Sequence, residues 1–250
     1  MARIHTGIYG LDEMLEGGFP EGRTILLSGG CGTGKTIFAM QYIYRGALEY
    51  NEPGVFVTLD ERPEMIRQDM LRFGWDIKKM EAKGKIAMVD AAASKIGVPS
   101  EEKFTLPQIG LDVDRLIQRV LQVAEQIGAK RIAIDSIAGL GFHIDNEADI
   151  RRAILKINYM LTTSSVTALL TSEVPEQSFG AGPMSFSKYG VEEYTADGVV
   201  VMHYLGIGTE SNRSLFVRKM RGTKHIEDIV PMEITSKGIV VKTPEEAYKV

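Results

Sequence analysis

The sequence predicts an α/β fold in which a mostly parallel β-sheet carries helices on both faces. Three observations support this prediction. Short apolar, β-branched runs alternate along the 250 residues with segments whose apolar positions recur at helical spacing. The runs are continuously apolar, which is typical of parallel strands buried on both faces. From Arg213 onward, short strands separated by turn residues instead predict an antiparallel extension at one edge of the sheet.

The predicted strands are short segments rich in aliphatic and β-branched residues. In chain order they occupy 24–28, 55–59, 85–89, 131–135, 166–171 and 199–203. The antiparallel strands are predicted at 214–220, 232–235 and 239–242, with Lys237 and Gly238 forming the turn between the last two.

The predicted helices follow from start signals, stop signals and apolar spacing. A glycine-rich turn after the first strand leads into a helix over about 35–50. Pro63 suits the first position of the next helix, and Gly74 suits its end. Apolar residues recur at helical spacing over 112–127 and again from Ile150 to Leu161, which predicts two amphipathic helices.

Two segments lack a regular pattern. Residues 92–110 contain several Gly, Pro and Ser positions, which predict a long surface loop. A glycine-containing loop is predicted over 174–197. We find no internal repeat and no convincing boundary, so we expect residues 1–250 to form a single domain.

Composition and charge exclude several classes of protein. Hydrophobic residues make up 44% and charged residues 25%, which is ordinary for a folded soluble protein. The net charge of −4 argues against a non-specific nucleic-acid binder. A single cysteine excludes an intramolecular disulfide. No apolar run is long enough for a membrane span, and the first residues lack the apolar core of a signal peptide. We therefore expect a cytoplasmic protein without membrane insertion.

A phosphate-binding motif lies between the first strand and the first helix. Residues 29–36, GGCGTGKT, match the P-loop pattern G-x-x-x-x-G-K-[ST]. Lys35 would reach the β- and γ-phosphates, and the Thr36 hydroxyl would bind Mg²⁺. The alternative is an ordinary glycine-rich turn. The backbone N–H groups that would cradle the phosphates belong to Gly30, Cys31, Gly32, Thr33 and Gly34.

A carboxylate that would complete the magnesium site ends a later strand. The apolar segment RIAID ends at Asp135, which has the form of a Walker B strand. Taken alone, this signal is weak, because a strand that ends in Asp is common at turns. In combination with the P-loop, it predicts that Asp135 holds Mg²⁺ directly or through water.

Longer strings resemble those of the RecA-like ATPases and, among them, the KaiC-like proteins. They are TGIYGLD at 6–12, GGFPEG at 17–22, YGVEEY at 189–194 and KMRGTKH at 219–225. The resemblance extends from about Ile4 to Lys242 and implies a RecA-like fold and Mg²⁺-dependent ATP hydrolysis. Three residues depart from the pattern, because Tyr9 and Cys31 stand where the family often has proline and Asp60 stands where it commonly has Glu. Cys31 is either a redox-sensitive thiol or a small tolerated residue.

The resemblance also implies which residues catalyse hydrolysis. It assigns to Glu61 the carboxylate that orients or deprotonates the attacking water, with Asp60 in support. The alternative is that both acids cap the helix beginning near Pro63. At the end of the strand after Asp135, Ser172 or Glu173 would sense the γ-phosphate, or would simply be a polar strand end.

Two basic residues imply an oligomer. Lys219 and Arg221 match a family signature whose cations enter the neighbouring subunit's nucleotide site. Residues two apart on a strand point to the same face, so both could reach one phosphate. The alternative is a solvated strand edge. The resemblance therefore implies a head-to-tail homo-oligomer, a ring or filament and most simply a hexameric ring.

Three functions remain open at the level of sequence. The first is a slow, regulatory ATPase. The second is an ATP-locked assembly switch that docks onto an unknown protein partner, as implied by the related archaellum-motor ATP-binding protein. The third is a recombination mediator. Two loops oppose DNA binding, since residues 139–149 carry three acidic residues and no Lys or Arg, and residues 174–197 carry four against Lys188. A single domain also gives no support to the autophosphorylation of two-domain clock proteins.

Overall fold

The computed structural model describes residues 1–107, 112–142, 144, 146–174, 185–204 and 213–243. Its strands, in chain order, are β1 (Arg3–Ile4), β2 (Phe19–Pro20), β3 (Thr24–Gly29), β4 (Gly54–Thr58), β5 (Ile86–Asp90), β6 (Phe104–Thr105), β7 (Arg131–Asp135), β8 (Thr167–Glu173), β9 (Gly198–Tyr204), β10 (Arg213–Met220), β11 (Val230–Thr235) and β12 (Gly238–Val241).

The helices alternate with these strands. They are α1 (Leu11–Met14), α2 (Lys35–Glu49), α3 (Pro63–Leu71), α4 (Ile77–Ala82), α5 (Ala92–Ile96), α6 (Val113–Ile127), α7 (Glu147–Thr163) and α8 (Glu192–Thr195), with a 3-10 helix at Ile137–Phe142. The Asp112 carboxylate caps α6 by accepting a 2.9 Å hydrogen bond from the Arg115 amide, and Asn146 caps α7 in the same way. None of the helices in the described ranges has the length and apolar character that crossing a bilayer requires.

One large sheet organises the molecule. In the described residues it contains ten strands in the order β12-β11-β10-β9-β3-β8-β7-β4-β5-β6. From β9 to β6 every neighbouring pair is parallel, and β10, β11 and β12 extend the β9 edge with antiparallel pairing. One apolar layer holds residues of α2, α3 and α4, and a second layer holds residues of α6 and α7. The predicted α/β class, with its C-terminal antiparallel extension, is confirmed.

The prediction of a long surface loop over 92–110 is wrong in its described part. Residues 92–96 form α5, whose first four residues are buried, and residues 104–105 form β6. Strand β6 pairs with β5, so that Val89 lies opposite Phe104 and Asp90 opposite Thr105. Both elements are too short for a periodic pattern, and packing and pairing hold them in place. Residues 108–110 lie outside the described residues.

Other differences also concern short elements. The predicted loop at 174–197 contains α8, and its residues 175–184 lie outside the described residues, as do His143 and Asp145 of the loop at 139–149. The structure adds α4 after the predicted helix at 63–74, and it adds β1, α1 and β2 ahead of the first predicted strand. These elements have two to six residues, fewer than a helical or alternating pattern needs to be recognised.

Candidate active site

The P-loop connects the end of β3 to the start of α2. Gly32 and Gly34 adopt φ values of +72° and +100°, which glycine tolerates and other residues rarely do. The Lys35 amine donates hydrogen bonds of 2.9 Å to the carbonyl oxygens of both Gly29 and Gly30. Burial lowers the pKa of Lys35, and the nearby carboxylates of Asp135 and Glu173 oppose this effect. The two hydrogen bonds hold the Lys35 amine against the start of the predicted phosphate-binding loop.

A side chain at Gly29 would not fit this cradle. A Cβ placed there would lie 2.8 Å from both the Met202 carbonyl oxygen and the Thr33 hydroxyl. The Thr33 hydroxyl itself donates a 3.0 Å hydrogen bond to the Gly30 carbonyl oxygen. Close approach of β9 and the internal bond of Thr33 thus fix the loop in an anion-binding shape.

The carboxylate of Asp135 lies at the C-terminal end of β7, beside the P-loop. The Thr171 hydroxyl of the adjacent strand β8 donates a hydrogen bond to its Oδ1 atom. The Thr36 side chain lies close enough to the same carboxyl group to affect its pKa. Burial raises the pKa of Asp135, and Thr171 and Thr36 oppose this rise. The structure therefore brings together the two predicted magnesium ligands.

The donor set fits Mg²⁺ bound together with a nucleotide. Thr36 and Asp135 supply a hydroxyl and a carboxylate, the hard oxygen ligands that Mg²⁺ prefers. In the described residues no cluster of three or more His, Cys, Asp or Glu side chains is arranged to hold a metal ion. Mg²⁺ commonly takes one or two ligands from the protein and the others from phosphates and water.

The two candidate catalytic acids lie in a turn that follows β4. The Thr58 hydroxyl fixes this turn, since it accepts a 3.1 Å bond from the Glu61 amide and donates a 2.7 Å bond to the Glu61 carbonyl oxygen. The Glu61 side chain is exposed at the surface of the site. Its pKa is raised by partial burial and then by the negative charges of Asp135, Asp69 and Asp60.

The alternative role of these acids as helix caps finds no support in the geometry. Helix α3 begins at Pro63 with Arg62 as its N-cap residue, and it has no side-chain cap. The Asp60 carboxylate instead accepts bonds from the amide and hydroxyl of Ser136, at 3.3 and 3.0 Å. It also pairs with the Lys95 amine at 2.7 Å.

Several residues of the site escaped sequence reasoning. Thr171 lies one residue before the predicted sensors Ser172 and Glu173, and it is the one that contacts Asp135. Ser172 donates instead to Glu192, at 3.1 Å, while Glu173 lies close enough to Lys35 to affect its pKa. Lys95 and Ser136 contact Asp60 only in the folded chain, and no local sequence motif predicts these contacts.

Arg213 also contacts the P-loop. Its Nε and Nη2 atoms donate to the Gly32 carbonyl oxygen at 3.2 and 3.1 Å. Its guanidinium lies 4.1 Å from the centre of the Tyr204 ring. Arg213 is the first residue of β10. The sequence pattern predicts a strand in this region but no contact with the P-loop.

Lys219 and Arg221 lie at the other end of the sheet from their own P-loop. Strand pairing places Gly198 beside both Ile25 and Met220, whereas the P-loop starts at Gly29. Four residues of β3 therefore separate the two positions, about 13 Å at roughly 3.3 Å per residue. The two cations do not meet Lys35 of the same chain.

A cavity of about 600 Å³ brings Lys219 and Arg221 together, and Tyr194 also lines it. The Lys219 amine donates to the Glu193 carbonyl oxygen at 3.0 Å, and Arg221 pairs with Asp197 at 3.4 Å. Burial and the charge of Arg221 lower the pKa of Lys219. The strand-period argument does not explain their proximity, because β10 ends at Met220 and a bulge precedes Lys219.

Comparisons with known proteins identify relatives in sequence and in structure. The sequence model of the family described as "ATPase: KaiC" matches residues 4–246. The chain is 40% identical to the UPF0273 protein MJ1359 of Methanocaldococcus jannaschii, with 100% of this chain and 99% of that protein covered. It is 36% identical to the circadian clock oscillator protein KaiC of Parathermosynechococcus lividus, covering 94% of this chain but 41% of that protein. The crystal structure of the KaiC-like protein PH0186 from Pyrococcus horikoshii superimposes with a TM-score of 0.81 at 43% identity, covering 96% of this chain and 98% of that one.

Proposed function

The chain belongs to the KaiC-like ATPases of the RecA-like P-loop superfamily, and we propose that it hydrolyses ATP slowly, with Mg²⁺, at sites shared between subunits. In this proposal residues 1–250 act as one ATPase domain of a cytoplasmic homo-oligomer, most simply a hexameric ring. The role of the oligomer is regulatory, exerted through a protein partner.

The observation that carries the proposal is the meeting of three groups at the C-terminal end of the parallel strands. Lys35 lies against the start of the proposed phosphate cradle, Thr36 lies close enough to Asp135 to affect its pKa, and the turn containing Glu61 follows the strand next to β7. Ligand sites in open α/β sheets form at this end of the strands.

Each residue has a distinct part in the proposed reaction. The P-loop amides and Lys35 bind the phosphates and orient them. Thr36 and Asp135 hold Mg²⁺, which supplies charge neutralisation on the phosphates when bound. Glu61, with Asp60 in support, orients the attacking water and accepts its proton. A carboxylate with a raised pKa is better matched to this transfer at neutral pH than an ordinary one.

The position of Lys219 and Arg221 supports sharing of sites between subunits. Both residues line an open cavity at the surface. Through β9 they lie level with a position on β3 about four residues before the P-loop of their own chain. A neighbouring subunit placed head to tail would bring its phosphates to these cations. They would then neutralise charge that develops in the transition state, as an arginine finger does.

One observation favours the second candidate, an ATP-dependent assembly switch with little hydrolysis. The Lys219 amine is engaged by the Glu193 carbonyl oxygen of its own chain, and Arg221 by Asp197. Both cations must leave these partners to reach a neighbour's nucleotide. Assembly around ATP could therefore be the principal event.

Phosphate release separates the two candidates. Wild-type protein with Mg·ATP should release phosphate above background, and Glu61→Gln should lower the rate at least about 100-fold while ATP still binds. Glu13→Gln, which removes an exposed carboxylate from α1, is the control and should keep the wild-type rate. Wild-type protein that binds ATP and assembles without phosphate release would instead be the switch.

A further inference from the structure

Lys95 is a buried cation beside the candidate catalytic acids. It lies on α5 and exposes 8% of its side chain, yet it belongs to none of the motifs that define the site. Its amine lies 2.7 Å from Oδ1 of Asp60. A buried ammonium group is costly unless it is paired. The contact with Asp60 therefore stabilises Lys95 in its buried position.

Asp60 connects Lys95 to the magnesium side of the site. Its Oδ2 atom accepts hydrogen bonds from the amide and hydroxyl of Ser136, the residue that follows Asp135. One carboxylate thus joins α5 to the end of β7. The next residue is Glu61, whose amide and carbonyl are both bonded to the Thr58 hydroxyl.

The 3-10 helix after β7 packs closely against the same carboxylate. A Cβ at Gly139 would lie 2.9 Å from Oδ1 of Asp60 and 3.1 Å from Cβ of Leu59. The Asp60 side chain is 43% exposed, and on its inner side it contacts Lys95 and Ser136 and lies against Gly139. A displacement of Asp60 would move the adjoining Glu61.

Charge gives Lys95 a second effect. Three carboxyl groups lie at the edge of the sheet where anionic phosphates would bind. They belong to Asp60, Glu61 and Asp135. The ammonium group of Lys95 offsets the charge of Asp60 at a distance of 2.7 Å. It thereby offsets the repulsion that Asp60 would exert on the carboxylates of Glu61 and Asp135.

We propose that Lys95 is a positioning residue for ATP hydrolysis, which holds Asp60 and through it sets Glu61 toward the attacking water. The inference rests on the proposed hydrolytic function. Lys95 acts through Asp60, so its loss should affect turnover more than nucleotide binding.

The test compares Lys95→Met with Lys95→Arg in the full chain. Steady-state phosphate release gives kcat and KM, and a fluorescent ATP analogue gives the dissociation constant. Lys95→Met should lower kcat at least about tenfold with KM changed less than about twofold, and Lys95→Arg should restore most of kcat. Lys78→Met, which breaks the exposed 2.9 Å pair with Glu64, is the matched control and should leave kcat unchanged.

A double variant keeps the inference testable if Lys95→Met does not fold. Asp60→Asn/Lys95→Met removes both charges, and its kcat should be no lower than that of Asp60→Asn alone, because the two side chains act as one unit. A further loss in the double variant, or a folded Lys95→Met with wild-type kcat, overturns the inference. Absence of phosphate release from wild-type protein overturns the proposed function itself, and the role of Lys95 in hydrolysis with it.

Discussion

The hydroxyl of Thr171 donates a hydrogen bond to Oδ1 of Asp135 across the parallel pair β7 and β8. Thr171 is completely buried, and Thr36 also lies close to the Asp135 carboxyl group. The proposed magnesium ligand is thus oriented by a residue that would not itself contact the metal. Such supporting contacts set how well a ligand binds its metal.

Thr171→Val should weaken magnesium binding. Valine keeps the shape of threonine but removes the donor, so Asp135 loses an orienting bond and the Mg²⁺ concentration for half-maximal ATP binding should rise about tenfold. The measurement is a Mg²⁺ titration monitored with a fluorescent ATP analogue. Thr167→Val is the control, because it breaks a buried bond to the Gly22 amide at the opposite end of the same strand. A wild-type titration curve for Thr171→Val would exclude the orienting role.

The pH dependence of turnover should report the environment of Glu61. The pKa of Glu61 is raised by burial and by neighbouring carboxylates, and the group accepts a proton only when ionised. Activity should therefore fall on the acid side at a higher pH than for an ordinary glutamate. The acid limb of kcat/KM, which reports the free enzyme, measures this.

Asp69→Asn should move that acid limb to lower pH. Asp69 is an exposed residue of α3 whose negative charge contributes to the raised pKa of Glu61, so its removal lowers the pKa. The rate above the limb should stay near the wild-type value. Glu13→Gln serves as the control for loss of an exposed carboxylate elsewhere. A limb that stays in place, or moves upward, would contradict the stated cause of the pKa shift.

Mixing two inactive variants should restore hydrolysis if sites are shared. Lys35→Ala lacks a working P-loop, and Lys219→Ala/Arg221→Ala lacks the cations offered to a neighbour. A mixed interface can combine the intact P-loop of one subunit with the intact cations of the other. Phosphate release by the mixture should exceed the sum of the two variants measured separately. A strictly additive result would place these cations outside the neighbour's site.

Light scattering after size exclusion tests independently whether neighbouring subunits share their nucleotide sites. A non-hydrolysable ATP analogue should drive wild-type protein into an oligomer and leave Lys219→Ala/Arg221→Ala smaller, because the phosphates are then without their cationic partners. Runs with ADP and without nucleotide are the controls. A wild-type chain that stays monomeric under all three conditions would require a different source for the missing cation.

Glu52→Ala should destabilise the fold strongly. Arg131 is fully buried, and its Nε atom lies 2.8 Å from Oε2 of Glu52. Removal of Glu52 leaves the Tyr42 carbonyl oxygen, at 3.0 Å, as the hydrogen-bond partner of the buried guanidinium in the described residues, and costs about 3 kcal/mol. Urea unfolding measures the loss. Glu233→Ala breaks the exposed pair with Lys242 and should cost less than about 1 kcal/mol.

The sequence was sufficient for the sheet and for its long helices. Helices α6 and α7 each bury one apolar face over fifteen or more residues, which makes their periodicity easy to recognise. Helix α2 instead buries the consecutive residues 38–44, and the glycine-rich motif before it predicts its start. Elements such as α5 and β6 could not be predicted, because five and two residues show no period. Tertiary contacts hold them, including the pairing of β6 with β5.

The residues of the candidate site also differ in whether a local motif or a tertiary contact places them there. Lys35 and Thr36 belong to a contiguous motif, and the apolar strand before Asp135 identifies that carboxylate locally. Thr171 and Lys95 reach the site only through the neighbouring strand and helix, at sequence separations of about 35 residues. The orienting role of Thr171 and the positioning role of Lys95 are predictions that the experiments above test.

The separation of Lys219 and Arg221 from their own P-loop also has a consequence for counting. In an assembly that completes each site with cations from the next subunit, an open row of n subunits contains n − 1 complete sites, whereas a closed ring contains n. Specific activity per subunit would then rise with protein concentration and level off once every end is paired. The specific activity per subunit would thus report how many subunits lie at the free ends of open assemblies.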